Sequence, residues 1–386
     1  MRKKQEEQYT LIYTSKSGTL YNLTPFNQKD LNVKNLQLVM GDFYQMMEAI
    51  KALPSNVSFR DFIKAGDKKL FLSPTEFGTA RTRGCTKEDE IQLECFGWKD
   101  FSVSDYLKTV DVLKPEVLIC LTEEQRNEGG KKSMKRAVAK TKSFLDQTLA
   151  HFKNSNQKIE IYAQFLGDFF DEQREECLTH ILSHQNSLSG IFISGVYFRE
   201  RDSIFSERKK IYQQIERVDP NLKRLLSSRG DPGSILEGAY FGITQFECFF
   251  PFEMAKKFSA LTFSSQAWLE SIRHLVKMSY PVFSDQVQAI FPRNDARDKR
   301  LPSINLQEES FARDMRPLVE GCKCYSCKTI TRAYIHHLIK HHEMTANVLL
   351  VVHNCWTYDR FMEVVNSQEF AENKERAIFS FFELYL

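Results

Sequence analysis

Between about residues 110 and 250, short apolar runs alternate with helix-forming segments, and this alternation restricts the fold more than any other feature of the chain. Val117–Leu121, Ile159–Gln164, Gly190–Gly195, Leu222–Leu226 and Thr244–Phe250 read as strands. Helices are expected between them, over about Lys131–Phe152, Phe169–Leu182, Ile204–Arg217 and Gly233–Tyr240. The first carries Ala137, Phe144, Leu145, Leu149 and Phe152 on one side. The last is announced by Asp231-Pro232, an N-cap followed by proline at the first helical position, and ends near Gly242. A strand plus a helix every ~30–40 residues predicts parallel pairing, because the helix carries the chain back to the same end of the sheet. Several such units in 386 residues favour a (β/α)8 TIM-type barrel over an open sheet.

The first 110 residues are less regular. Tyr9–Thr14, Lys69–Leu72 and Ile91–Cys95 look like strands, and their pattern suggests antiparallel pairing or an embellished start to the barrel. Pro292–Asn305 is polar and reads as an exposed connection, and from Glu308 onward the chain is helical. The expected division is a barrel over residues 1–305 and a helical lobe over 306–386.

Charge argues little about partners: 53 basic against 50 acidic residues leave +3, so any RNA contact must come from local clusters. Lys131, Lys132, Lys135, Arg136, Lys140 and Lys142 form one such cluster, with Arg208-Lys209-Lys210 and Lys256-Lys257 as others. Each could track phosphates or simply be a solvated helix face. No run approaches the ~20 apolar residues of a membrane span, and the N-terminus lacks a signal-peptide core, so a soluble intracellular protein is expected. Nine cysteines, mostly far apart, do not make a disulfide framework.

Three of them stand together in Cys322-Lys323-Cys324-Tyr325-Ser326-Cys327. Thiolates this close converge on a borderline-soft cation, and Zn2+ is the default in a reducing compartment. A closed tetrahedral site needs a fourth ligand. His336, His337, His341, His342, His353 and Cys355 are all candidates, and spacing does not choose among them.

The cysteine run, then Thr331-Arg332-Ala333-Tyr334-Ile335-His336-His337-Leu338, then Val352-His353-Asn354, resembles the zinc lobe of the tRNA-guanine transglycosylases. The resemblance implies one structural zinc ion on Cys322, Cys324, Cys327 and His353. It makes His336 and His337 a pair outside the coordination sphere, one packed and one partly exposed.

Members of that family break a glycosidic bond by attack of an aspartate on the ribose, at the mouth of the barrel. The corresponding segment here is Gly242-Ile243-Thr244-Gln245-Phe246-Glu247-Cys248-Phe249-Phe250-Pro251-Phe252-Glu253, so Glu247 occupies the nucleophile position. Glutamate is one methylene longer, and a misplacement of about 1 Å costs ~100-fold in rate. Glu253 stands where the family has arginine. Leu72–Gly78 lacks the family's D-S-G-G. Thr122, in Leu121-Thr122-Glu123-Glu124, replaces a base-reading aspartate. Arg199, in Ser194–Glu200, would crowd a pocket that glycine keeps open. Gln164 and Glu200 are retained. Glu247 is then either a strand-end carboxylate facing water or a lysine, or a residual nucleophile.

Phe246-Glu247-x-Phe249-Phe250-Pro251-Phe252 and Ala260-Leu261-Thr262-Phe263 are similar to the non-catalytic branch of the family. That resemblance implies pairing as a heterodimer with a catalytic transglycosylase subunit, contact with tRNA through the complex, and no catalytic residue of its own. It implies a cytoplasmic protein and leaves a peripheral place on the mitochondrial outer membrane open. The apolar helices Val348–Val364 and Ile378–Leu386 are candidate partner contacts. The rival expectations are an active transglycosylase that uses Glu247, and a zinc-stabilised RNA-binding protein that works without a partner.

Overall fold

Eight parallel strands close on themselves in chain order: β1 (Thr10–Lys16), β2 (Asn35–Val39), β3 (Lys69–Ser73), β4 (Val117–Ile119), β5 (Glu160–Phe165), β6 (Gly190–Ile193), β7 (Lys223–Leu226) and β8 (Gln245–Cys248). The computed structural model describes residues 9–77, 82–85, 87, 89–95, 97–123, 130–153, 155, 157–166, 170–197, 205–282, 284–291 and 302–385. β8 pairs back onto β1, with Leu11 opposite Phe246 and Tyr13 opposite Cys248, so the sheet is a barrel rather than an open ribbon.

The strand-helix units after residue 110 form as expected. Helices Lys131–Lys153, Asp171–His184, Phe205–Ile215 and Pro232–Tyr240 follow β4, β5, β6 and β7. The Asp231 side chain accepts from the Ser234 N–H with Pro232 directly after it, so the cap read in the sequence is made. Antiparallel pairing of the early strands is corrected. Tyr9–Thr14 and Lys69–Leu72 belong to β1 and β3, both parallel members of the barrel. Among the described residues of this stretch, antiparallel pairing is confined to the end of β1, where Ser15 and Lys16 face Leu20 and Thr19, and to the Ile91–Cys95 region, in a sheet of Thr82–Gly84, Glu90–Glu94 and Trp98–Ser102 on the connection after β3. β2 was not foreseen: Asn35 and Gln37 interrupt its apolar run, because one face of this strand turns into a polar barrel interior.

That interior is layered. Ile12, Phe71, Val117, Ile119, Tyr162, Phe192 and Leu225 form an apolar plug. Below it, at the N-terminal ends of the strands, Glu160 takes Lys69 at 2.6 Å and Lys223 at 2.8 Å. Two residues beyond the plug on four of the strands, on the same face, come Thr14, Ser73, Gln164 and Ser227, with Glu247 two residues after Gln245. These five groups put a buried polar layer at the mouth of the barrel.

After β8 the chain builds helix Phe250–Lys256 and a short strand, Ser259–Leu261, which pairs antiparallel with Ser303–Asn305. The exposed connection expected from Pro292 lies outside the described residues as far as position 301, and its end is this strand. Helix Thr345–Val365 then returns along the barrel. Tyr358 donates to the Gly230 carbonyl at 2.8 Å, Asp359 accepts from the Asn32 N–H at 2.9 Å, and Asn366 brackets the Tyr9 backbone at 2.7 and 3.0 Å. Trp268 stacks on Phe361 at 5.3 Å and meets Phe381 edge-on at 4.9 Å. Each such buried aromatic contributes roughly 1.5–3 kcal/mol. The helices expected to offer apolar faces to a partner thus spend them here: Leu349–Cys355, Ile378, Phe381 and Phe382 are all buried within the chain.

Candidate functional site

The sequence places a turn of helix, Tyr325–Thr329, immediately after two of the cysteines, with Cys324 as its N-cap. The Cys327 N–H donates to Cys324 Sγ at 3.3 Å, and the Ser326 hydroxyl anchors the turn on the Leu349 carbonyl at 2.7 Å. These contacts set the thiols over helix Thr345–Val365, where His353 waits. Its Nδ1 lies 3.8 Å from Cys322 Sγ, 3.4 Å from Cys324 Sγ and 3.3 Å from Cys327 Sγ. A tetrahedral ion with sulfur at about 2.3 Å and nitrogen at about 2.0 Å separates the two by roughly 3.5 Å, so the set fits around one centre. All four donor atoms lie within 4.8 Å of one another. These residues could hold a metal ion such as zinc.

The remaining candidates are placed elsewhere. His336 is buried, with Nδ1 2.8 Å from the Leu306 carbonyl. His337 and His341 are exposed, their rings 4.3 Å apart, and His342 sits at φ 56° just beyond the helix. Cys355 is buried outside the cluster. The packed and exposed members of the His336-His337 pair are as the resemblance implied. Sequence reasoning gave no role to Asn354. Its Oδ1 accepts from the Leu261 N–H at 2.9 Å, and its Nδ2 donates to the carbonyls of Pro251 and Ser259 at 3.1 and 3.0 Å.

Glu247, next to last in β8, stands at the mouth and is 0% exposed. It is closed off from solvent, and among the described residues its partners are Ser227 and Gln37 and not a lysine, which corrects the reading as a solvated or lysine-paired carboxylate. The Ser227 hydroxyl donates to Oε2 at 2.6 Å, and the Gln37 amide donates to Oε1. Gln37 is itself fixed by Thr14 at 3.1 Å and by the Thr75 carbonyl at 3.2 Å. Burial pushes the Glu247 carboxyl up to about 8, the carboxylate of Glu76 pushes the same way, and the two hydrogen bonds offset only part of this. Two neutral donors do not replace the lost hydration of a charge. Near neutral pH this group is mainly a buried carboxylic acid.

The rest of the mouth agrees. Thr122 shares a 3.0 Å hydrogen bond with Thr141, so its hydroxyl is turned toward the outer helix. Glu123 is buried and holds Arg136 at 2.9 Å and Lys140 at 3.3 Å. Glu253 pairs with Lys257 at 2.8 Å and Arg229 at 3.5 Å. Gln164 donates to the Cys120 carbonyl at 3.2 Å. Gly78, Glu124, Arg199 and Glu200 lie outside the described residues. Gln37 and Ser227 were missed because nothing in the sequence marks them; only barrel closure brings β2 and β7 to the end of β8.

The basic clusters are mostly ion-paired. Arg208 is fully buried and bidentate to Glu237 at 2.7 and 3.0 Å, with its guanidinium held firmly protonated by that carboxylate, which removes it from any phosphate-tracking surface. Lys131 meets Glu172 at 2.5 Å, Lys142 meets Glu176 at 2.9 Å, and Lys140 donates to the carbonyls of Cys85 and Glu90. Lys132, Lys135 and Lys256 remain exposed.

Fold and centre together define a class: a (β/α)8 barrel with a Cys3His lobe appended beyond its last strand. The family profile described as "Queuine tRNA-ribosyltransferase" matches residues 3–378, and the chain belongs to that family. Among its relatives, a human protein named "Queuine tRNA-ribosyltransferase accessory subunit 2" is 28% identical over 382 residues, covering 95% of this chain and 90% of its own length. The Pongo abelii protein of that name matches at the same identity and coverage. The Drosophila virilis protein of that name is 25% identical over 385 residues, covering 94% of this chain and 82% of its own length.

Proposed function

We propose that this chain is the non-catalytic subunit of a queuine tRNA-ribosyltransferase, pairing with a separate catalytic subunit that exchanges guanine for queuine at the tRNA wobble position. The observation that carries this is the state of Glu247. Attack on a ribose needs an ionised carboxylate within about 3–3.5 Å of the anomeric carbon. Glu247 is sealed from solvent, hydrogen-bonded on both oxygens and held protonated by burial. The relatives' names as accessory subunits support the same reading.

In this reading one Zn2+ sits on Cys322, Cys324, Cys327 and His353. Four protein ligands leave no open position, so the ion stiffens the lobe and takes no part in chemistry. The division into a barrel over 1–305 and a lobe over 306–386 is retained. The lobe exposes Met315, Tyr325, Tyr334 and Met344, large side chains suited to a partner surface. Lys132, Lys135 and Lys256 are the candidate tRNA contacts. The protein works in the cytoplasm. Any place on the mitochondrial outer membrane is peripheral, since among the described residues no helix is long and apolar enough to span a bilayer.

The test is labelled guanine exchange into tRNA by this chain alone, by the catalytic subunit alone, and by the mixture. The expected result is no exchange by this chain and a sharp rise in the mixture. Exchange by this chain alone that disappears in Glu247→Gln would overturn the reading.

A further inference from the structure

We infer that Asp146, His180 and His184 form a second metal site, an exchangeable one for a divalent transition ion, on the outer wall of the barrel. The residues come from two helices that follow consecutive strands, Lys131–Lys153 after β4 and Asp171–His184 after β5. His180 and His184 stand one helical turn apart, which puts both rings on one face, 4.8 Å between centroids. Both turn Nε2 toward the same carboxylate oxygen: Asp146 Oδ1 is 2.9 Å from His180 and 3.1 Å from His184. Two histidines at this spacing on a helix are a chelating pair, and a carboxylate from a neighbouring helix completes a facial set of three.

The distances suit an ion. Ligand bonds of about 2.0–2.2 Å at angles between 90° and tetrahedral separate neighbouring donor atoms by roughly 2.8–3.6 Å. Imidazole and carboxylate donors favour Zn2+, Ni2+, Cu2+ and Co2+ over Mg2+ or Ca2+. The side chains are partly exposed, 18% for His180, 34% for His184 and 50% for Asp146. Three protein ligands on an open surface leave positions for water, so the ion exchanges, unlike one enclosed by Cys322, Cys324, Cys327 and His353. The site shares no residue with that centre. A bound ion would bolt two neighbouring barrel helices together.

The test titrates Ni2+ calorimetrically into the full-length protein, with total zinc measured before and after. Nickel prefers nitrogen donors and reports on the histidines. One Ni2+ per chain should bind without loss of zinc, and the melting temperature should rise with it. Affinity should fall at least about tenfold in His180→Ala/His184→Ala and in the near-isosteric Asp146→Asn, whose fold is checked by circular dichroism. His337→Ala/His341→Ala removes the other exposed histidine pair and should bind as the parent does. Binding unchanged by the first two variants, lost in the third, or absent up to about 1 mM Ni2+ would overturn the site.

Discussion

The carbonyl oxygen of Leu261 accepts the Nε2 proton of His353 at 2.9 Å, and this bond decides which imidazole nitrogen faces the three thiols. A carbonyl can only accept, so Nε2 carries the hydrogen and Nδ1 keeps its lone pair for an ion. The next residue, Asn354, accepts from the N–H of the same Leu261. Two adjacent side chains on one helix therefore grip both faces of a single peptide position in the short strand after the barrel. The ligand is aimed by that strand and not by the segment that carries the cysteines.

Asn354→Ala should accordingly damage the metal centre without touching a ligand. It removes the side-chain partner of the Leu261 N–H and of the Pro251 and Ser259 carbonyls in a buried site, at a cost of about 2–4 kcal/mol. Zinc affinity should fall about 10–100-fold, the usual penalty for losing a supporting contact. Urea unfolding and zinc content by elemental analysis check the two parts. Unchanged stability with full zinc content would mean that the strand does not position His353.

Glu247 makes a prediction in pH. A carboxyl raised to about 8 in the folded chain keeps its proton where the unfolded chain, near 4.5, has lost it. Its contribution is complete below about pH 4.5 and is lost as pH climbs through 8. Glu247→Gln keeps the shape and stays neutral, and the Ser227 hydroxyl can reverse to accept from the new amide. The variant should match the parent near pH 5 and exceed it by on the order of a few kcal/mol at pH 9. Thermal melts across that range read the difference. A parent that is more stable than the variant at pH 9 would show that the carboxylate is ionised and well solvated in the fold.

How far such features could be read in advance depends on whether their cause is local. The strands and helices after residue 110 were legible because apolar periodicity and the Asp231-Pro232 cap act over a few residues. The thiols announce themselves by spacing. His353 was not selected by spacing, because the bond that aims it reaches back 92 positions to Leu261. β2 was hidden because Gln37 is polar in a strand, a pattern that makes sense only when the strand lines a barrel mouth. Arg208 looked like part of a basic surface run, and nothing near it in sequence reveals that Glu237 on the next helix meets it inside.

Arg208 and Glu237 are both 0% exposed, so removing one leaves an uncompensated buried charge. Arg208→Met should cost about 3–5 kcal/mol, whereas Arg208→Met/Glu237→Leu should return to within roughly 1–2 kcal/mol of the parent. Equilibrium denaturation of the two variants checks this. A single variant of unaltered stability that weakens tRNA binding by the assembled enzyme would restore Arg208 to the nucleic-acid surface.

Gly230 marks where the loop after β7 lies down on the end of β8. Its φ is +73°, and an added Cβ would stand 2.4 Å from the Glu247 carbonyl oxygen and 2.8 Å from the Cys248 Cα. Those are backbone atoms of a barrel strand and cannot swing aside. The Gly230 carbonyl also takes the Tyr358 hydroxyl, so any shift pulls on the helix that carries His353. Gly66 offers an internal comparison, with φ +62° and nothing within 4 Å of its added Cβ. Gly66→Ala should cost only the left-handed backbone penalty, about 1–2 kcal/mol. Gly230→Ala adds an overpacking cost of roughly 1–3 kcal/mol to that penalty. It should also loosen zinc, because Tyr358 and His353 share one helix. Equal stability losses for the two variants would mean that the β7–β8 loop relaxes freely and does not clamp the strand end that holds Glu247.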